Sequence, residues 1–148
     1  MMDSDDAISI TEYQTLAEFR YQLRRFLRFS EQAARAAGLE PQQHQLLLAL
    51  KGLPERKKAT IGALAERLQL AHHSTVELVD RLVERGFIQR SRDEADQRQV
   101  LVTLTSQGEE VLRNLSLSHR TELHSVGPEL VQALNALLNN TNDNACIL

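Results

Sequence analysis

The densest set of chemically useful side chains lies between Thr60 and Thr105. His72, His73, Ser74, Thr75, Glu77, Leu78 and Arg81 fall in a helix-forming stretch that Gly86 ends, and Arg90, Arg92, Asp96 and Arg98 follow in a charged segment. At about 100° per residue, Val76, Val79, Leu82 and Val83 gather on one side, and Ser74, Glu77, Leu78, Arg81 and Arg85 on the other. The first set asks for a core. The second offers a hydroxyl, a carboxylate, an apolar tip and two guanidiniums, the groups that meet base edges in a DNA major groove. A carboxylate accepts from cytosine N4, an arginine bonds guanine or a phosphate, and a leucine touches a thymine methyl. Bland readings compete at each place: lone surface leucines are common, and Arg81 can equally pair with Glu77 at i, i+4. His72 and His73 open the helix, where a ring N–H can reach a phosphate. Arg98 has Asp96 two residues before it to hold its guanidinium, and it suits a minor groove, where negative potential is strongest.

Elements on either side must position these residues. Residues 11–37 read as one long helix, with Tyr13, Leu16, Phe19, Leu23, Phe26, Leu27 and Ala33 at three- and four-residue steps, Thr11 as N-cap and Gly38 as stop. Pro41 opens a short helix to Lys51, and Glu55-Arg56-Lys57-Lys58 is a charged loop, either merely solvated or set against phosphates. Thr60 caps Ile61–Leu68, Gln69-Leu70-Ala71 is a tight connection, and a second helix runs from about His72 to Arg85. Helix, short turn, helix is the spacing of a helix-turn-helix. Phe87–Ser91 and the alternating Gln99–Leu104 read as two strands joined by a charged hairpin, a wing. Thr105 or Ser106 caps a further helix to about Val126, Gly127-Pro128 interrupts it, and Glu129–Leu138 is a last helix. Residues 139–144 are expected to fray, and 1–10 and 141–148 to be flexible tails. The fold class expected is mainly α: a winged helix-turn-helix over residues 38–105 with a small antiparallel β-wing, and a helical dimerisation platform from 11–37 and 106–140. The leucine stripes of 11–37 and 129–138 independently ask for a partner.

Composition is compatible with this reading. The net charge of −3 argues at first against a nucleic-acid partner, but from Arg56 to Arg98 nine Lys/Arg stand against seven Asp/Glu, so positive charge is concentrated in the middle. No run of about 18 apolar residues spans a membrane, and the acidic N-terminus lacks a secretory signal, so a cytoplasmic protein with no membrane partner is expected. The one cysteine, Cys146, has no partner for an internal disulfide, which suits the same compartment.

The segment Asp96-Gln97-Arg98-Gln99-Val100-Leu101-Val102-Thr103-Leu104-Thr105 resembles the D-x-R-x5-L-T signature of the multiple-antibiotic-resistance regulator (MarR) family. Leu78 to Ile88 resembles that family's recognition helix and first wing strand, and Gly38-Leu39 followed by a helix and Ile61-Gly62-Ala63-Leu64-Ala65 fits its order of elements. Gln97 stands where a second basic residue is usual, which weakens one phosphate contact. The resemblance covers roughly residues 11–140. It implies a homodimer whose N- and C-terminal helices intertwine, with two winged domains straddling a pseudo-palindromic operator on double-stranded DNA, and a repressor released by a small aromatic or phenolic effector. The crevice residues it points to are Phe19, Leu23, Phe26, His44, Leu47 and His119, each of which also reads as ordinary core.

Other readings are weaker. A metal-responsive relative would draw on His44, His119 and His124, but His119 and His124 are five apart, not the i, i+4 that puts two ligands on one helix face. A peroxide sensor needs a cysteine in the first helix, and none is there; the role of Cys146 is open. No nucleophile motif, phosphate loop or metal-ligand spacing points to an enzyme, and no cofactor or metal is expected. A protein–protein adaptor could reuse a winged helix, but it would lack salt-dependent DNA binding.

Overall fold

In the computed structural model, which describes residues 6–143, the elements run α1 (Ile10–Ala36), α2 (Pro41–Lys51), α3 (Ile61–Leu68), α4 (His72–Glu84), β1 (Ile88–Arg92), β2 (Val100–Leu104) and α5 (Ser106–Asp143). The chain divides into two compact units. One is Glu31–Ser118, and the other joins the residues up to Ser30 with those from His119 onward. The division falls inside α1 and α5, not at their ends.

In the winged unit the local signals act as their chemistry dictates. Pro41 takes the first position of α2, where its missing N–H costs nothing, and the Glu40 N–H donates to Gln43 Oε1 at 3.0 Å in a capping box. Thr60 Oγ1 accepts from the Ala63 N–H at 3.1 Å and starts α3. Gln69, at φ 55, ends α3 in the left-handed region and makes the turn into α4 tight. Strands β1 and β2 pair antiparallel, with Ile88 opposite Leu104, Arg90 opposite Val102 and Arg92 opposite Val100. The Val102 N–H donates to the Ala59 carbonyl at 2.9 Å, so β2 is fastened to the α2–α3 connection as well as to β1. Thr105 Oγ1 donates to the Gly86 carbonyl at 2.6 Å and accepts from the Gly108 N–H at 3.1 Å, capping α5 while closing the wing's base. Gly108 sits so close to the Phe87 carbonyl oxygen that a Cβ would overlap it. Around these joints Leu39, Leu46, Leu47, Leu64, Val79, Leu82, Ile88 and Val102 form a closed core.

The other unit departs from expectation at three places. Ser9, not Thr11, supplies the cap of α1, its Oγ accepting from the Glu12 N–H at 3.2 Å, so Ser9 and Ile10 are not part of a loose tail. Helix α5 runs unbroken through Gly127-Pro128. A proline inside a helix removes one hydrogen bond and clashes with the preceding turn, at about 3 kcal/mol. Beyond it Glu129 Oε2 pairs with Arg25 Nη1 of α1 at 3.3 Å and Ala133 is buried, which holds the continuation in place. Helix α5 also continues through 139–143, the segment expected to fray. Cys146, with the rest of 144–148, lies outside the described residues. Among the described residues no helix is long and apolar enough to cross a membrane.

Candidate nucleic-acid interface

Helix α4 is the centre of the candidate interface, and its orientation corrects the sequence-based wheel. The buried stripe is Thr75, Leu78, Val79 and Leu82, at i, i+3, i+4 and i+7, while Val76 and Val83 are only partly buried. The helix is thus rotated by about 60° from the expectation, taking 100° per residue. Thr75 and Leu78 were expected to face DNA and instead face the core, with Thr75 fully enclosed and Leu78 9% exposed. A threonine is tolerated there because its Oγ1 donates to the Ala71 carbonyl at 3.0 Å, leaving no polar atom without a bond. His72, His73, Glu77 and Arg81 are exposed as expected, with Ser74 half-buried beside them. The corrected outward face adds Asp80 and Glu84 to His73 and Glu77, so it is more acidic than foreseen. Ala71 at the N-cap provides no side-chain cap, which leaves the first N–H groups of α4 open to an external acceptor.

Two arginines hold the winged unit together. Arg85 Nη1 donates to Gln43 Oε1 at 2.9 Å, its Nη2 donates to the Gly38 carbonyl at 2.6 Å, and its guanidinium lies 5.0 Å from the centre of the Phe87 ring. It ties the end of α4 to the start of α2, so it does not belong to an outward reading face. Arg90 on β1 pairs with Asp80 on α4 and links the wing to the helix.

At the wing tip the loop between β1 and β2 is closed by its own bonds. Arg92 Nη1 donates to the Gln97 carbonyl at 3.1 Å, the Asp93 N–H donates to the Gln99 carbonyl at 3.0 Å, and the Gln99 N–H donates to the Asp96 carbonyl at 2.9 Å. Asp96 Oδ1 accepts from the Arg98 N–H at 3.1 Å and from Arg98 Nε at 3.4 Å. The Arg98 side chain is 93% exposed, so its guanidinium is oriented at the root and open at the tip. Sequence analysis missed Asp93. It is buried, its Oδ2 lies 2.5 Å from Lys58 Nζ, and its Oδ1 accepts from the Ala95 N–H at 3.0 Å. The Lys58 hydrogen bond, helped by that backbone donor, holds the Asp93 carboxyl below the usual carboxylate range. No local pattern could have revealed a pair separated by 35 residues.

The residues expected to line an effector crevice separate into two groups. Phe26 meets the His119 ring edge-on at 6.1 Å, and Phe29, which the sequence reading passed over, meets it at 5.4 Å. His119 Nε2 lies 2.7 Å from Ser30 Oγ. Phe19 and Leu23 are half-buried in the same unit. His44 and Leu47, at 2% and 0% exposed, are sealed in the core of the winged unit, which corrects the expectation that they face an open crevice. Among the described residues no group of three or more His, Cys, Asp or Glu stands close enough to hold a metal ion.

Helix-turn-helix, anchored wing and an exposed arginine at the wing tip define a winged helix-turn-helix protein. The MarR family model matches residues 37–99, the stretch that carries both helices and most of the wing. A protein described as an uncharacterized HTH-type transcriptional regulator, YfiV of Bacillus subtilis (strain 168), is 33% identical over 78 residues, covering 50% of this chain and 49% of its own. The chain thus spans about half the length of the curated relatives it matches. The crystal structure of the MarR family transcription regulator SP03579 matches with a TM-score of 0.71 at 22% identity, over 90% of this chain and 89% of its own. BpsR of Bordetella bronchiseptica, whose DNA binding is regulated by 6-hydroxynicotinic acid, matches with a TM-score of 0.62 at 22% identity, over 87% of this chain and 98% of its own. At these identities the structural likenesses establish the fold.

Proposed function

We propose that this chain is a DNA-binding transcription regulator that acts as a homodimer. The observation that carries the reading is the wing-tip Arg98, exposed over 93% of its side chain and oriented by Asp96, on the same unit as an α4 whose N-terminal turn is open and polar. A guanidinium so presented fits the narrow, electronegative minor groove, while α4 lies in the adjacent major groove. There His72, His73, Ser74 and the open N–H groups meet phosphate, and Glu77 and Arg81 reach base edges. Arg92 is placed to approach the backbone at the wing. Thr75 and Leu78 take no part in reading.

The dimer reading rests on apolar side chains that the described residues of a single chain leave in water. Ile10 and Tyr13 on α1, and Val131, Leu134 and Leu138 on α5, are each more than 40% exposed. A second copy would cover them, and two winged units would then meet half-sites about one helical turn, 10–10.5 bp, apart on a pseudo-palindromic operator. The finer reading, a repressor released by a small aromatic effector, is supported by the Phe26–Phe29–His119 cluster and by the effector-regulated DNA binding of BpsR.

The test is binding to a duplex selected from a random-sequence library, measured across a salt series. Arg98→Ala is expected to lower affinity about tenfold, near 1.4 kcal/mol, with the dimer and helical content intact. Unchanged affinity at fixed salt would remove the minor-groove role, and absence of any salt-dependent, sequence-selective binding would remove the regulator reading itself.

A further inference from the structure

We infer that Asp93 is a positioning residue for DNA recognition: it locks the wing loop onto the α2–α3 connection so that Arg98 is presented in one place. The inference rests on the DNA-binding reading of Arg98. A hairpin loop from Asp93 to Gln99 would ordinarily be mobile, and an arginine on a mobile loop loses side-chain and backbone freedom when it enters a groove. Here the loop is closed internally and also moored externally. Inside it, Asp93 Oδ1 holds the Ala95 N–H at 3.0 Å and the Asp93 N–H meets the carbonyl of Gln99, the residue next to Arg98, at 3.0 Å. Outside it, Asp93 Oδ2 takes Lys58 Nζ at 2.5 Å, and one residue along, the Ala59 carbonyl takes the Val102 N–H at 2.9 Å. The carboxylate is buried although it lies on a charged hairpin, while Arg98 stays open to solvent. One acid therefore joins the base of the loop, the residue beside Arg98, and a separate segment of the unit.

The sign of the electrostatics makes the inference testable. Asp93→Asn removes a negative charge near the DNA face and frees the Lys58 cation. If only net charge mattered, the variant would bind DNA more tightly. If Asp93 positions Arg98, affinity for the selected duplex falls about three- to tenfold, the range of a weakened arginine contact, while affinity for random-sequence DNA holds or rises. The same substitution in an Arg98→Ala background should then cause no further loss of specific affinity, because the residue it positions is gone. Tighter specific binding by Asp93→Asn, or an equal loss in both backgrounds, overturns the inference. The single Arg98→Ala variant separately tests the DNA-binding reading, so the two failures are distinguishable. Should Asp93→Asn not fold, amide hydrogen exchange on the unaltered, DNA-free protein decides: protection at Ala95, Gln99 and Val102 comparable to the strands supports the mooring, and exchange at Ala95 and Gln99 as fast as in an open loop overturns it.

Discussion

The two compact units differ in how their apolar residues are used. In the winged unit Leu46, Leu47, Leu64, Val79, Leu82 and Val102 are almost wholly enclosed, the joints between elements are hydrogen bonds of Arg85, Asp93 and Thr105, and Thr60 and Thr75 bond within their own helices. In the other unit Ile10, Tyr13, Leu16, Tyr21, Leu123, Val131, Leu134 and Leu138 stay largely in water, while its enclosed groups include the polar Gln22 and Ser30. The first unit has a core complete within one chain. The second has apolar faces that nothing among the described residues covers, beyond what scattered surface leucines would give. Stability of the first is thus a property of the single chain, and under the proposed dimer that of the second depends on concentration.

The largest effect should come from breaking the open unit. Leu134→Glu places a charge on a face that the proposed second copy covers. It should yield a monomer by analytical ultracentrifugation and lower operator affinity by about 100-fold or more through loss of two-site binding. Thermal stability of the winged unit should stay within about 0.5 kcal/mol, as for ordinary surface changes. A variant that still sediments as a dimer and binds normally would show that this face is not the interface.

A smaller effect separates neighbours on α4. Leu78→Ala should destabilise the winged unit by about 2–4 kcal/mol, since it empties a core position. Glu77→Ala should leave stability unchanged and relax base preference at one operator position, at about 1–3 kcal/mol of discrimination. Chemical denaturation alongside binding to a panel of single-base operator variants distinguishes them. If Leu78→Ala were neutral in stability but altered base preference, the rotation of α4 given above would be wrong.

That rotation shows what can be read from residues and what cannot. The helix-turn-helix and wing were legible because their signals are short-range. Thr60 caps three residues ahead, Gly86 stops α4, and Val100, Val102 and Leu104 alternate within one strand. The phase of α4 was not, because apolar type was taken as the guide to burial. Val76 and Val83 drew the expected core face toward themselves, while Thr75, whose hydroxyl is satisfied by the backbone one turn back, was not recognised as able to be buried. Pro128 misled for a related reason. Its local cost is real, but the Arg25–Glu129 pair that follows it joins residues 104 apart, which no window of sequence contains. The Lys58–Asp93 mooring was invisible on the same ground, whereas the Asp96–Arg98 pair, two residues apart, was found.

The smallest expected effect concerns that mooring and acid. Lys58, from the α2–α3 connection, is the cation facing Asp93; Glu94 and Asp96 are the neighbouring acids on its own loop. Because the Lys58 hydrogen bond lowers the Asp93 pKa in the folded chain, the folded state binds that proton less readily than the unfolded one. The stability this contributes is fully present above the unfolded carboxylate value, about 3.9, and is lost as pH falls through the lower folded value. The stability difference between the native chain and Asp93→Asn should therefore be level from about pH 7 to 5 and shrink below about pH 4. Denaturation curves of the two proteins across that range measure it. A difference that stays constant down to pH 3, or grows, would mean that the Asp93 carboxylate gains nothing from Lys58 on folding, and the wing would then be held by its other bonds, among them Val102 to Ala59 and Arg90 to Asp80.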